Sequence, residues 1–183
     1  MKKIKLDLQP KFKLLQVNGK DIKIPKLGLK HRMLADINLS YSDNMKRLIS
    51  SIHPNLSIAE RDLVSLNILA YNDKIRNEFI EDGFTYRIDD VYICQKLKFE
   101  LNGYEFKFKS PNNDSLSCAI NDLLEDCCVY VKKDGIKQEI PNFLDLPSFV
   151  ANWADDILNT IAIDTPNGKI VGLYSIVELF DYE

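Results

Sequence analysis

Three dipeptides that favour tight turns constrain the fold of this 183-residue chain most strongly. Asn18-Gly19, Asn102-Gly103 and Asp134-Gly135 lie beside short runs in which apolar and polar residues alternate, such as "KFKLLQV" and "YEFKFK". Such a pair suits the type I′ turn of a two-residue hairpin, because both central residues of that turn have positive φ. We therefore expect antiparallel β-hairpins at these three places. Their irregular spacing argues against a solenoid repeat.

Apolar residues at helical spacing predict three to four helices between and beyond the hairpins. The first helix begins at an N-cap formed by Ser42 or Asp43. In the second, "SIAE" predicts a capping box between Ser57 and Glu60, and the largely apolar residues that follow place this helix in the core. The other predicted apolar faces are Met45, Leu48, Ile49 and Ile52 in the first helix; Leu116, Ala119, Ile120, Leu123, Leu124 and Cys127 in a third, capped by Asp114 or Ser115; and Phe149, Trp153 and Ile157 in a fourth.

The remaining segments complete an α+β pattern. "KIKLDL" and the β-rich stretch from Phe84 to Pro111 predict further strands, while the tail "GKIVGLYSIVELF" fits either a closing strand or a short docking helix. Hydrophobic residues make up 45% of the chain and charged residues 28%, which is typical of a packed globular protein. The predicted fold class is α+β, with small antiparallel hairpins and sheets packed against three to four helices.

Charge is distributed unevenly along the chain. Residues 1–110 hold 20 Lys and Arg against 14 Asp and Glu, whereas residues 111–183 hold 4 against 13. We therefore predict a basic α+β lobe at 1–110 and an acidic helix-plus-strand lobe at 111–183, joined in one compact unit. This asymmetry favours a polar contact surface, either inside the molecule or towards a partner. The acidic half argues against nucleic acid as that partner, because it would repel phosphates.

The sequence predicts neither a membrane segment nor a bound cofactor. No stretch approaches the ~20 apolar residues of a membrane helix, and the first ten residues lack the apolar core of a signal peptide. The four cysteines form no C-x-x-C pair, so we expect buried or half-buried thiols and no zinc site. Cys127 and Cys128 are adjacent, and their role is left open. We expect a soluble protein made in a reducing cytoplasm.

A magnesium-dependent nuclease is the sharpest enzyme hypothesis. Asp89 or Asp90, followed by Glu105 and Lys107 in "EFK", matches a short arrangement in which carboxylates hold the metal and the lysine stabilises charge on phosphate. Glu105 and Lys107 share one face of the predicted strand, and phenylalanines occupy the other face. A solvated amphipathic strand accounts for the same pattern, and we favour that interpretation.

Other candidate catalytic groups lack partners in the sequence. His31 has only Asp36 as a nearby acid and no identifiable nucleophile. Asp155 and Asp156 are adjacent on a predicted helix, so their side chains point about 100° apart and do not converge on one atom. The chain contains no phosphate-binding glycine motif. We therefore assign no catalytic, cofactor-binding or metal-binding residue and expect that the protein is not an enzyme.

The segment "IPKLGLKHRML", from Ile24 to Leu34, is the best candidate for contact with a partner. Pro25 should end a strand, and a short helix should follow Gly28 with its leucines facing inward. The cations would then be available to an acidic partner, with charge steering the contact. The predicted partner-binding residues are Lys26, Lys30, His31 and Arg32.

Together with "IDDVYICQKLKFELNGYEFKFKSP", this segment resembles the small baseplate-hub proteins of T-even-type tailed bacteriophages. The shared plan is a short β entry, a Pro-x-Leu-Gly-Leu segment, two helices, and a Tyr-Ile-Cys strand that leads to a hairpin. The resemblance covers residues 15–110 and leaves the acidic remainder outside it.

The resemblance implies a structural or morphogenetic protein of the baseplate hub that acts by protein–protein contacts in tail assembly. Its partners would be other phage baseplate and hub proteins, and its oligomeric state stays open. An alternative is a hub assembly chaperone that is absent from the mature particle. The protein would lie in the host cytoplasm during assembly, and in the tail baseplate of the virion if it is a hub subunit.

Overall fold

The computed structural model describes residues 11–111 and 119–182, apart from the side chain of Ser42. The strands are β1 (Phe12–Val17), β2 (Lys20–Pro25), β3 (Glu78–Glu81), β4 (Phe84–Arg87), β5 (Tyr92–Ile93), β6 (Lys98–Leu101), β7 (Tyr104–Phe108), β8 (Cys128–Lys133), β9 (Ile136–Gln138), β10 (Ile161–Thr165) and β11 (Gly168–Val171). The helices are α1 (Leu29–Arg32), α2 (Tyr41–Ile52), α3 (Ile58–Tyr71), α4 (Ile120–Cys127), α5 (Asn152–Leu158) and α6 (Leu173–Phe180). The predicted α+β class is confirmed.

All three predicted hairpins are present. The turns at 18–19, 102–103 and 134–135 join β1 to β2, β6 to β7 and β8 to β9, and each turn residue has a positive φ. Two further hairpins were not predicted: β3–β4, which turns at Asp82-Gly83, and β10–β11. Asp82-Gly83 carries the same turn signal as the other three. The predicted strand "KIKLDL" lies outside the described residues.

The first hydrophobic core surrounds α3. Ser57 and Glu60 form the predicted capping box, and α3 buries apolar side chains on several sides, as expected for a core helix. Hairpin β1–β2, α2, β10 and α6 pack around it. Ile163 and Phe180 bring the end of the chain into this core. The tail therefore forms both a strand, β11, and a docking helix, α6.

The second core lies between the sheet β6-β7-β8-β9 and helices α4 and α5. Trp153 stacks on Phe99 with ring centroids 4.7 Å apart and meets the edges of Phe106 and Phe108. Burial of several large aromatic side chains around one indole supplies most of the stabilisation of such a small core.

The first core takes its residues from 15–93 and 161–180, and the second from 97–157. Strand β5 pairs with β10, which returns the chain to the first core. The two hydrophobic cores therefore divide the chain at different positions from the charge pattern, which changes sign near residue 110. The division into lobes at residue 110 stays a prediction, and residues 112–118 beside it lie outside the described residues.

Several helix details differ from the prediction. Ile120, predicted on the apolar face of the third helix, is 53% exposed. The N-cap of α2 is Ser40, whose hydroxyl accepts from the Asp43 N–H at 3.1 Å, so neither Ser42 nor Asp43 is the cap. Phe149 is 51% exposed, because residues 148–151 form a tighter 3-10 turn that rotates it away from Trp153 and Ile157. Helix α4 begins at Ile120, and the proposed caps 114 and 115 and the stripe residue 116 lie outside the described part of the chain.

Candidate functional site

The described residues form a groove of about 1040 Å³. Its walls are residues 27–35, which include α1, together with α2, α3 and α6. The volume is at the upper end of the range for small-molecule pockets, so the groove can hold several side chains at once. Apolar residues that line it include Met45, Leu48, Ile49, Ile68, Leu69 and Val177.

Asn72 fixes the first wall of the groove. Its side-chain oxygen accepts from the Leu27 N–H at 2.6 Å, and its amide nitrogen donates to the carbonyls of Pro25 at 3.1 Å and Ile68 at 2.8 Å. Asn72 is the C-cap residue of α3, so it ties the end of β2 to the end of the core helix. These hydrogen bonds hold residues 25–28 beside the groove, although those residues lie 44 or more positions before Asn72 in the sequence.

Asn44 fixes the next part of the same wall. Its side-chain oxygen accepts from the Asp36 N–H at 2.7 Å, and its amide nitrogen donates to the Asp36 carbonyl at 2.9 Å. The same amide also reaches the Leu39 and Ser40 carbonyls, both at 3.2 Å. One side chain of α2 therefore bonds to four backbone groups of the loop 36–40 and helps to satisfy them.

Large apolar side chains surround the groove in exposed positions. Leu29 is 75% exposed, Tyr41 67% and Tyr174 76%, and all three line the groove. Met33 and Ile37, in the same stretch of the chain as Leu29, are 78% and 99% exposed. The prediction that the leucines of this segment face inward is wrong for Leu27 and Leu29, because no other described element covers α1; Leu34 is half-buried against the first core. Clustered exposed apolar side chains are typical of interaction sites.

The four predicted partner-binding residues occupy different positions around this surface. His31 and Arg32 line the groove. Lys30, which lies between Leu29 and His31 in the sequence, is exposed. Lys26 is engaged inside the molecule instead: its ammonium lies 2.6 Å from the Asp73 carboxylate and 5.1 Å from the centre of the Tyr71 ring. Their role in binding a partner stays a prediction.

His31 has a structural task at the start of α1. Its Nδ1 accepts a hydrogen bond from the Gly28 N–H at 3.0 Å. Partial burial and the charge of Lys30 lower the pKa of His31, so the imidazole is neutral at physiological pH and suited to accept this bond. Neutral His31 adds no charge to the groove, which leaves Arg32 as the cation that α1 contributes to the lining.

Helix α3 adds polar groups to the lining of the groove. The Asp62 carboxylate accepts from the Thr160 hydroxyl at 2.6 Å, and burial raises the pKa of Asp62 above its ordinary value. The Nε of Arg61 is buried and has no hydrogen-bond partner among the described residues. A buried guanidinium donor without a partner is costly, so an acceptor that entered the groove would be favoured there.

The nuclease residues have separate partners. Asp89 pairs with Lys13 at 2.6 Å, and Glu105 accepts from the Tyr130 hydroxyl at 2.7 Å on the solvated face of the second sheet. Asp89 and Asp90 lie on a 3-10 turn, although a strand was predicted there.

In the described ranges, no group of three or more potential metal ligands is found. Nor does any described helix have the length and apolar character to cross a membrane.

The described cysteines are thiols with raised pKa values. Cys127 and Cys128 are buried in the second core, and Cys94 is half-buried. Burial, together with the neighbouring Cys127, raises the pKa of Cys128 to about 11. A thiol with such a pKa is almost fully protonated at neutral pH and is a poor nucleophile. Cys118 lies outside the described residues.

Comparison with known proteins identifies the family. A family model described as the baseplate hub distal subunit matches residues 24–180. The chain is also 42% identical over 179 residues to the baseplate hub assembly protein gp28 of Enterobacteria phage T4. The aligned region covers 97% of this chain and 99% of that relative. No solved structure matches the chain. The predicted resemblance is confirmed and extends through the acidic second half, and the chain belongs to the family of phage baseplate hub distal subunits.

Proposed function

We propose that this protein is a structural and morphogenetic component of a tailed-phage baseplate hub that works through protein–protein contacts and without catalysis. Its docking surface is the groove together with the exposed apolar and cationic side chains of residues 27–41. The carrying observation is that Leu29, Tyr41 and Tyr174 stand exposed around one concave surface. Exposed aromatic and aliphatic anchors beside a pocket are the usual centre of a protein interface.

The four predicted partner-binding residues have different tasks in this proposal. Lys30 and Arg32 are exposed at the docking surface and form no ion pair with any described residue. They would steer an acidic surface of another baseplate protein into place. Lys26 instead holds the segment to Asp73. His31 positions α1 through its bond to Gly28.

We further propose that the protein remains in the mature tail as a hub subunit, after assembly in the host cytoplasm. The description of its family as a distal subunit of the hub supports this choice. The second candidate is an assembly chaperone that leaves before maturation, which the name of the phage T4 relative favours. The two candidates require the same docking surface and differ in what the finished particle contains.

The test is a phage in which this gene carries an early stop codon. We expect infected cells to accumulate incomplete baseplates and few tails in electron micrographs, and we expect the intact gene supplied from a plasmid to restore them. Normal tail numbers without the protein would contradict the structural role. Mass spectrometry of purified wild-type tails then separates the two candidates: this chain is present in stoichiometric amount if it is a subunit, and absent if it is a chaperone.

A further inference from the structure

We infer that the groove binds an amphipathic α-helix of another baseplate protein, with acidic residues on the polar face of that helix. This inference rests on the proposed function and adds the class of partner that the docking surface takes. It depends on the shape of the groove, the charge of its lining, and the burial of every described acidic amphipathic helix in the chain itself.

The shape of the groove favours a helix over an extended peptide. All lining residues lie in helices or in loops, and none lies in a strand. An extended peptide gains most of its affinity by pairing with a free strand edge, which the lining does not offer. A helix needs no such edge, because its backbone hydrogen bonds are internal. The wall formed by α2 has 12 residues and is therefore ~18 Å long, which matches a partner helix of about three turns.

The pattern of apolar side chains fits the side chains that such a helix presents. Apolar residues of α2, α3 and α6 form the lining, and Leu29 and Tyr174 stand at its border. A partner helix with apolar residues at i, i+3, i+4 and i+7 would place one continuous stripe against this lining. Its remaining faces would meet the border of the groove, where the charged groups are.

The charge of the lining selects an acidic polar face. Four cations line the groove against two carboxylates, those of Asp62 and Asp181. The cations are Arg32, Lys46, Arg61 and Lys74. Of these, only Lys46 forms an ion pair with a described residue, at 3.4 Å from Asp43. Glu or Asp on the partner helix would satisfy the others and would offer an acceptor to the buried Nε of Arg61.

A second copy of this chain does not offer such a helix. Helix α4 is acidic and amphipathic, but its apolar residues Leu123, Leu124 and Cys127 are buried in the second core. Helix α5 likewise buries Trp153 and Ile157. Docking either helix into the groove of another copy would require the second core to open. The occupant is therefore a different chain.

Site-specific photocrosslinking during infection tests this inference. A photoreactive phenylalanine derivative replaces Leu29 or Tyr174 in the plasmid-borne gene that complements the stop-codon phage, and crosslinked peptides are identified by mass spectrometry. The matched control places the same group at Ile136, which is 68% exposed on β9, away from the groove. Variants that carry the photoreactive residue alone are scored only if they still support plaque formation, so that the protein is functional in those samples.

We expect positions 29 and 174 to crosslink to one segment of another baseplate protein. That segment should have apolar residues at i, i+3, i+4 and i+7 and more Asp and Glu than Lys and Arg, and position 136 should not reach it. Adding Arg32→Glu with Lys74→Glu should lower the yield from position 174 about tenfold, whereas Lys98→Glu with Lys137→Glu should leave it unchanged.

Crosslinks to a second copy of this chain, to lipid, or to a segment without that pattern would overturn the inference, and so would functional variants that give no crosslink from the groove. These results would leave the structural role in tail assembly standing, because plaque formation would still depend on the protein. The proposed function would instead fail if the stop-codon phage made normal tails.

Discussion

The Lys26 ammonium lies 2.6 Å from the Asp73 carboxylate and 5.1 Å from the centre of the Tyr71 ring, so one of the three cations at positions 26, 30 and 32 is used inside the molecule. Lys30 and Arg32, four and six positions later, are exposed and form no ion pair with a described residue. The same short segment thus contains an anchor and a free charged surface, and substitution can separate the two.

Reversing the free charges should affect assembly and leave the fold intact. For Lys30→Glu with Arg32→Glu we expect a free energy of unfolding within about 0.5 kcal/mol of wild type, because both side chains are exposed. We expect at least about a tenfold loss of complementation in the stop-codon phage, since the polar face of the partner would now be repelled. Urea denaturation and burst size measure the two quantities.

Lys98→Glu with Lys137→Glu is the matched control, because both lysines are exposed on the sheet of the second core. It changes the net charge equally and should complement normally. If Lys30→Glu with Arg32→Glu unfolded the protein, these side chains would serve contacts within the chain, and the docking interpretation of the segment would be lost.

Glu60 should make stability depend on pH. Its buried carboxylate accepts from the Lys20 ammonium at 2.9 and 3.0 Å, from the Ser57 N–H at 2.8 Å and from the Asn18 amide at 3.2 Å. Burial raises the pKa of Glu60, but these hydrogen bonds outweigh burial and the pKa lies below its usual value. The stabilisation is therefore present above the pKa of the unfolded chain, and it is lost as pH falls through the lowered pKa of the folded state.

We expect Glu60→Ala to lower the free energy of unfolding at pH 7 by about 1–2 kcal/mol, the usual effect of losing a capping box and its hydrogen bonds. Glu60→Gln keeps a polar group at the cap and should lose less. In both variants, the loss of stability between pH 5 and pH 3 should be smaller than in wild type, as measured by urea denaturation at each pH. If the free energy of unfolding of the variants depended on pH as it does in wild type, Glu60 would not be the carboxylate that causes the loss of stability at low pH.

The adjacent thiols Cys127 and Cys128 should be inert in the folded protein. The pKa of Cys128 is raised to about 11, so its thiolate fraction at pH 8 is small. We expect iodoacetamide to alkylate Cys128 about a hundredfold more slowly in the native protein than in guanidinium chloride at that pH, and we expect the native rate to rise towards pH 11. Mass spectrometry of the peptide that contains both thiols gives the rates. Equal rates in the two solvents would mean that this core is open.

Local signals in the sequence predicted the local structure. The positive-φ turn at Asn18-Gly19 and the capping box between Ser57 and Glu60 depend on residues no more than three positions apart, so the sequence displays them directly. Asp82-Gly83 has the same turn signal, but the strand before it, β3 ("EFIE"), does not alternate apolar and polar residues, so the pattern of a strand was lacking there.

The groove could not be predicted in this way because its walls come from four separate parts of the chain. The Leu27 N–H bonds to Asn72, 45 positions away, and Tyr174 comes from a helix that returns only after β10 pairs with β5. Whether Leu29 is buried depends on whether another element covers α1, and no local pattern contains that information. Asn44 and Asn72 carried no signal beyond the general use of asparagine at turns and caps.

The central claim is that the exposed apolar border of the groove is where this protein meets another baseplate protein. The most direct measurement is the burst size of the stop-codon phage complemented by Leu29→Ser with Tyr174→Ser. The control is Ile136→Ser with Leu144→Ser, whose side chains are 68% and 71% exposed, close to the 75% and 76% of the groove pair. The account predicts at least about a tenfold smaller burst for the groove pair, from a protein that folds normally, because the loss of interface anchors typically costs 2 kcal/mol or more. A normal burst from the groove pair, or an equal loss from the control pair, would contradict it.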